Sequence, residues 1–204
     1  MLVLSPVCGS SLSDRLEMAK KLANAIFYVH LYGERYPSTI SLVGFKVIRN
    51  ADGRTYPVAD RRWEANLYRH PRRQGSDSDY YVMQHDIYSL GVCLLEIGIW
   101  ETFVAYDGPN GAAQPSKALG LAQDRQELQS GVTLKAHLVA LSRSRALRAN
   151  MGTKYSKVVE TCLTCLDEDS MHFGDEQAFQ DEEGVAVGIR YIETIMGMIN
   201  AICV

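Results

Sequence analysis

The stretch from Asp86 to Trp100, DIYSLGVCLLEIGIW, restricts the fold more than any other part of the chain. Apolar residues occupy every side of a helical period: Ile87, Leu90, Leu94 and Ile97 on one face, Val92, Leu95 and Ile99 on the others. A helix apolar all round has to be covered all round. Fifteen residues are too few to cross a bilayer, and Glu96 would lie within the hydrocarbon, so the pattern predicts a central core helix and no membrane span. Asp86 stands where an N-cap is needed, its carboxylate able to accept from the free N–H groups of a first turn.

The chain of 204 residues is long enough for one sizeable core, and residues 13–204 read as a single domain behind a lead-in of residues 1–12. A formal charge of −3 with 47% apolar residues fits a globular protein and argues against a nucleic-acid module. The five cysteines are odd in number and irregularly spaced, and Cys93 lies in the core helix, so reduced thiols and a cytoplasmic setting are expected. The opening MLVLSPVCGSSL lacks the basic start of a signal peptide, and the ending AICV places Cys203 wrongly for prenylation.

Helical periodicity predicts a first helix over about 13–32, with Asp14 and Glu17 as its capping box and Gly33 as its stop. Its face holds Leu16, Ala19, Ala23, Ile26 and His30; a lone histidine on such a face is read as structural rather than as a metal ligand or base. Residues 41–48 and 54–58 flank the turn NADG and predict a short β-hairpin over about 41–58. Arg61, Arg62, Arg69, Arg72 and Arg73 form a basic loop, either a grip for a phosphate or acidic partner surface or a solvated loop with local pairing.

Residues 105–118, with Gly108, Pro109, Gly111 and Pro115, read as a surface loop, and the periodicity is helical from about 118 to 150 and from 154 to 166. Cys162 and Cys165 have a metal-like spacing, but zinc needs a second ligand pair that the sequence lacks, so they are assigned to the core. Residues 167–183 carry eight acidic side chains and no Lys or Arg, a solvated run without the ligand pattern of a calcium loop. An amphipathic helix is predicted over 185–202, with Val185, Ile189, Ile192, Met196 and Ile199 inward.

Two motifs together carry a family resemblance. Asp86-x-Tyr88-Ser89-x-Gly91, followed by Glu96 and Trp100, resembles the central helix of the large lobe of protein kinases. Upstream, Tyr68-Arg69-His70-Pro71-Arg72 resembles the Tyr-x-Ala-Pro-Glu element that closes the kinase activation segment. LANAIFYVHLYG is similar to the helix before the catalytic loop, and VVETCLTCLDED to the helix ending in Cys-Leu-x-x-Asp. The resemblance is narrower still to kinase-like domains of filamentous-fungal signalling and incompatibility proteins. It implies a mainly α kinase-like large lobe, helices around the buried helix 86–100 with the hairpin at 41–58 and the small lobe absent.

The same resemblance implies that the phosphoryl-transfer machinery is missing. Phosphoryl transfer needs a Gly-rich phosphate loop, a lysine, an Asp base and Asp and Asn ligands for magnesium. The positions of the family's His-Arg-Asp fall on Tyr36, Pro37 and Ser38, and Gly44 and Lys46 replace the Asp and Gly of Asp-Phe-Gly. Arg72 replaces the Glu that salt-bridges a later arginine, and no arginine occurs between Arg148 and Arg190. The expectation is a catalytically inactive pseudokinase-like module with a protein partner, no catalytic residue, no metal and no cofactor; ATP and Mg would belong only to a retained family function. The alternatives are a Ser/Thr kinase fragment active when completed by missing segments, and a helical scaffold unrelated to kinases.

Overall fold

The computed structural model describes residues 11–32, 62–75, 79, 81–108, 111–121, 130–170, 172–173 and 190–203. The chain is mainly helical, with one small antiparallel sheet. The elements are α1 (Leu12–Tyr32), α2 (Trp63–Asn66), α3 (Met83–Ile99), strands β1 (Val104–Tyr106) and β2 (Ala113–Pro115), α4 (Gly131–Ser142), α5 (Arg145–Leu163), a π-helical turn (Ile192–Met196) and α6 (Gly197–Asn200). The expected hairpin at 41–58, Arg61, and the positions Tyr36, Pro37, Ser38, Gly44 and Lys46 lie outside the described residues.

The core helix exists and is central. Of the 17 residues of α3, 12 are buried, including Ile87, Leu90, Val92, Leu94, Leu95 and Ile97. Helix α5 lies along one side of it and α1 along another, while α4 packs on α5. Close approach of α5 depends on two glycines seven residues apart, hence on one face of α3. A Cβ on Gly91 would come within 2.8 Å of Cys162 Cβ, and one on Gly98 within 2.4 Å of the Leu147 Cδ1 methyl. Tyr155 crosses the same seam and donates its hydroxyl to the Leu94 carbonyl at 2.7 Å.

Both expected helix starts are corrected. Helix α1 is capped by Ser11, whose hydroxyl accepts from the Asp14 N–H at 3.1 Å while the Asp14 carboxylate accepts from the Ser11 N–H at 2.9 Å. Glu17 instead pairs with Lys21 at 2.6 Å along the helix surface. Helix α3 begins at Met83, three positions before Asp86, after an extended Val82, so Asp86 is not its N-cap. The ring of His85 does the capping, its Nδ1 accepting the Val82 N–H at 3.0 Å. Asp86 still lies in the first turn, where its charge complements the helix dipole, and accepts the hydroxyl of Tyr81.

Further boundaries differ. Residues 105–118 are not all loop: β1 and β2 pair with Val104 opposite Pro115 and Tyr106 opposite Ala113. Three-residue strands are too short for alternation to register in a sequence. The helix expected over 118–150 is divided into a 3-10 turn (Lys117–Leu119), α4 and the start of α5. The second division, expected between residues 150 and 154, is at Gly152, whose φ of 84° and ψ of 165° only glycine adopts readily. In the described part of the last segment a widened turn brings Tyr191 and Ile195 into the core beside the predicted Met196 and Ile199; the Ile192 side chain lies outside the described residues. One core runs from Leu16 to Ile202.

Candidate interaction site

The resembling motifs meet through α3. The loop after α2 is anchored from three sides. Leu67 is buried, the Ser89 hydroxyl donates to the Tyr68 carbonyl at 2.7 Å, and the Tyr68 hydroxyl donates to Glu96 Oε1 at 2.8 Å. The same Glu96 oxygen accepts the Phe103 N–H at 2.7 Å, so one buried carboxylate joins the basic loop, the central helix and the approach to β1. Its Oε2 has no hydrogen-bond partner. Burial outweighs the two hydrogen bonds and pushes the Glu96 carboxyl up to about 7. Burial and then the Glu96 charge hold the Tyr68 phenol above its ordinary range.

His70 and Pro71 turn the loop back over α3. Pro71 opens a 3-10 turn through Arg73, and His70 Nδ1 accepts the Arg72 N–H at 3.2 Å. The buried His70 ring lies edge-on to Tyr88, with centroids 5.0 Å apart. Gln74 closes the loop by donating its amide to the Arg69 carbonyl at 2.7 Å and the Asn66 carbonyl at 3.0 Å. Its side chain occupies the space a Cβ on Gly131 would fill.

Lys135, from α4, bridges this loop to the turn after α5. Its amine lies 3.2 Å from His70 Nε2 and is ion-paired with Asp167. Lys135 thus ties the loop, through His70, to the turn after α5, through Asp167. Burial, with help from the Lys135 charge, drives His70 down to about 3, so the ring is neutral at ordinary pH.

Between the loop, the start of α4 and the turn after α5 lies an open groove of about 480 Å³. Pro71, Val132 and Leu166 give it apolar surface, and Arg72, Lys135, Glu168 and Asp169 also line it. Val132 is 72% exposed, more than any other large apolar side chain among the described residues.

Of the remaining sequence candidates, Arg62 stands before α2 and Arg69 donates to the Asn66 side chain at 3.2 Å. Arg73 donates to the Asp79 carbonyl. Arg69 and Arg73 thus bond to different groups. Trp100 ends α3 in a left-handed conformation with φ 64°, and the Arg15 guanidinium sits 5.0 Å above its ring. Cys162 and Cys165 are fully buried; burial pushes the Cys165 thiol up to about 12, and it donates to the Gln84 carbonyl at 3.2 Å. The His30 side chain lies outside the described residues. Among the described residues, no three His, Cys, Asp or Glu side chains gather to hold a metal ion, and no helix is long and apolar enough to cross a membrane.

Sequence reasoning singled out Glu96, Tyr68 and Arg72 but missed Lys135, Val132 and Gln74, which belong to the site only because α4 folds back on the loop. No protein-family model, curated protein or solved structure matches this chain.

Proposed function

We propose that the chain is a kinase-like large lobe that does not transfer phosphate and works as an interaction or regulatory module with a protein partner in the cytoplasm. The observation that carries this reading is the 2.8 Å hydrogen bond from Tyr68 to Glu96. It joins the Tyr-x-x-Pro segment and the central helix, the two stretches whose order resembles kinases, across 28 positions of sequence. The Ser89 hydroxyl on the Tyr68 carbonyl adds a second tie between the same two stretches.

The inactive part of the reading comes from residue chemistry. Ser38, Gly44 and Lys46 supply no carboxylate where the resemblance implies a base and a magnesium ligand. Without those groups, the developing phosphate charge has nothing to hold its metal. The buried, free thiols of Cys162 and Cys165 favour a reducing compartment. The narrower resemblance to fungal signalling and incompatibility proteins supports a role in signalling.

Thermal unfolding with and without Mg-ATP tests the proposal. A ligand that binds only the native state raises its stability by mass action, so the expected result is an unchanged melting temperature over millimolar nucleotide. A concentration-dependent rise, or phosphate transfer to a generic protein substrate, overturns it in favour of a kinase fragment.

A further inference from the structure

His70 in the basic loop and His85 on α3 are both buried, with ring centroids 5.8 Å apart. Hydrogen-bond donors press on both rings. His70 has the Arg72 N–H 3.2 Å from Nδ1 and the Lys135 amine 3.2 Å from Nε2. A neutral imidazole has one acceptor nitrogen, so it satisfies only one of these donors; an imidazolium satisfies neither. His85 accepts the Val82 N–H on Nδ1 at 3.0 Å, and its buried Nε2 has no hydrogen-bond partner. A proton on that Nδ1 would set two N–H groups against each other.

The charges around the pair also work against a proton. His70 faces His85 and the Tyr88 ring from α3, Arg72 from its own loop, and Lys135 from α4, whose amine is ion-paired with Asp167 of the turn after α5. His85 faces His70 and Arg73 from the loop and the Tyr81 ring 6.1 Å away; Asp79 and Asp86 oppose Arg73, which weighs most of these charges. Apart from its histidine the loop is lightly held: of residues 62–75, Leu67 and His70 alone are buried, against 12 of 17 in α3. Gln74 closes the turn on itself through the Asn66 and Arg69 carbonyls, so the turn can lift as a unit. Tyr68 is anchored separately on Ser89 and Glu96, and an acidic medium leaves Glu96 neutral, so that anchor does not weaken as the histidines protonate.

We propose that His70 and His85 form an acid-sensitive latch, whose protonation releases the turn of residues 70–74 from α3 and α4, pivoting on Tyr68, while the core of α1, α3 and α5 stays folded. In the closed turn neither ring takes a proton and keeps its contacts. In the open turn both reach water and can, so each proton bound draws the equilibrium toward opening. Release uncovers Tyr88, to which His70 lies edge-on, and widens the groove that His70 and Lys135 line. The latch goes beyond the reading of the chain as an interaction module and stands whether or not nucleotide binds.

Amide hydrogen exchange of the full chain, read residue by residue as protection factors at pH 7 and pH 5, is the test. Protection of the Arg72 and Val82 N–H groups, the two donated to histidine, is expected to fall about tenfold or more at the lower pH, while α3 amides from Leu90 to Leu95 hold theirs. His70→Asn and His85→Gln each keep an oxygen acceptor for the same backbone N–H but do not titrate. The double variant is expected to show the same protection at both pH values. Constant protection at Arg72 and Val82 in the wild type, a loss shared equally by the α3 amides, or a pH-dependent loss that persists in the double variant overturns the proposal. The first two outcomes are read on the wild-type chain alone and need no folded variant.

Discussion

Glu96 and the two buried histidines set opposite slopes on stability. The Glu96 carboxyl is raised from an ordinary 4.5 to about 7, so the folded chain holds a proton there that the unfolded chain releases. Its contribution to stability is fully present below about 4.5 and is lost as pH rises through about 7. His70 and His85 are lowered from 6.5 to about 3 and about 4, each first by burial. The unfolded chain takes up those protons and the folded chain resists them, so stability falls as pH drops below about 6.5. Protonation would also turn each Nδ1 from an acceptor into a donor facing a backbone N–H, of Arg72 for His70 and of Val82 for His85. Glu96→Gln removes one slope and leaves the other. Urea unfolding at pH 5 and pH 8 is expected to show the variant gaining on wild type by about 1 kcal/mol or more at the higher pH. A difference independent of pH would mean that Glu96 is ionised in the fold throughout.

At the scale of elements, the seam between α3 and α5 is set by what glycine leaves out. Alanine is the better helix former by about 1 kcal/mol, so either Gly→Ala change starts with a gain. At Gly98 the new methyl meets the end of the Leu147 side chain and the Tyr155 ring, of which the leucine methyl can move. At Gly91 it meets Cys162 Cβ at 2.8 Å and the Leu163 backbone nitrogen at 3.1 Å, neither of which can move without shifting α5. Gly91→Ala is therefore expected to destabilise by about 1–3 kcal/mol and more than Gly98→Ala, measured as denaturant midpoints at constant slope. A smaller loss at Gly91 than at Gly98 would show that the seam relaxes by moving α5. The existence of α3 was legible because an all-round apolar period admits one burial, whereas its start was not. The sequence offers Asp86 as a cap, and only the fold shows the His85 ring reaching back to Val82. The same limit governs the site. Glu96 and Tyr68 stand out as a polar residue in an apolar helix and a motif tyrosine, but Lys135 reads as one more surface lysine until α4 brings it to His70. The seven-residue spacing of Gly91 and Gly98 was a visible signal for the α5 seam.

At the scale of the whole molecule, the far ends of the described chain close on each other. The Tyr191 hydroxyl donates to the Ala23 carbonyl at 3.1 Å across 168 positions, and the Lys20 amine donates to the Ile202 carbonyl at 3.0 Å across 182. Tyr191, Ile195 and Ile199 bury themselves with Leu16, Ala19 and Ala23 in the common core. Such long-range closure makes the C-terminal turn a necessary cover: without it, α1 and α5 present apolar surface to water. Ile195 is fully buried, and Ile195→Ala is expected to remove about 2–5 kcal/mol through lost burial and the cavity left behind. Because the core is continuous, that loss belongs to the whole molecule and not to its C-terminal segment. Far-UV circular dichroism reports all the helices, while the fluorescence of Trp63 and Trp100 reports α2 and the Arg15–Trp100 contact between α1 and the end of α3. Both signals are expected to shift together in the variant, with coincident midpoints. A circular-dichroism midpoint that falls while the tryptophan signal holds at its wild-type value would show that the C-terminal turn unfolds by itself and that α1 and α3 stand without it.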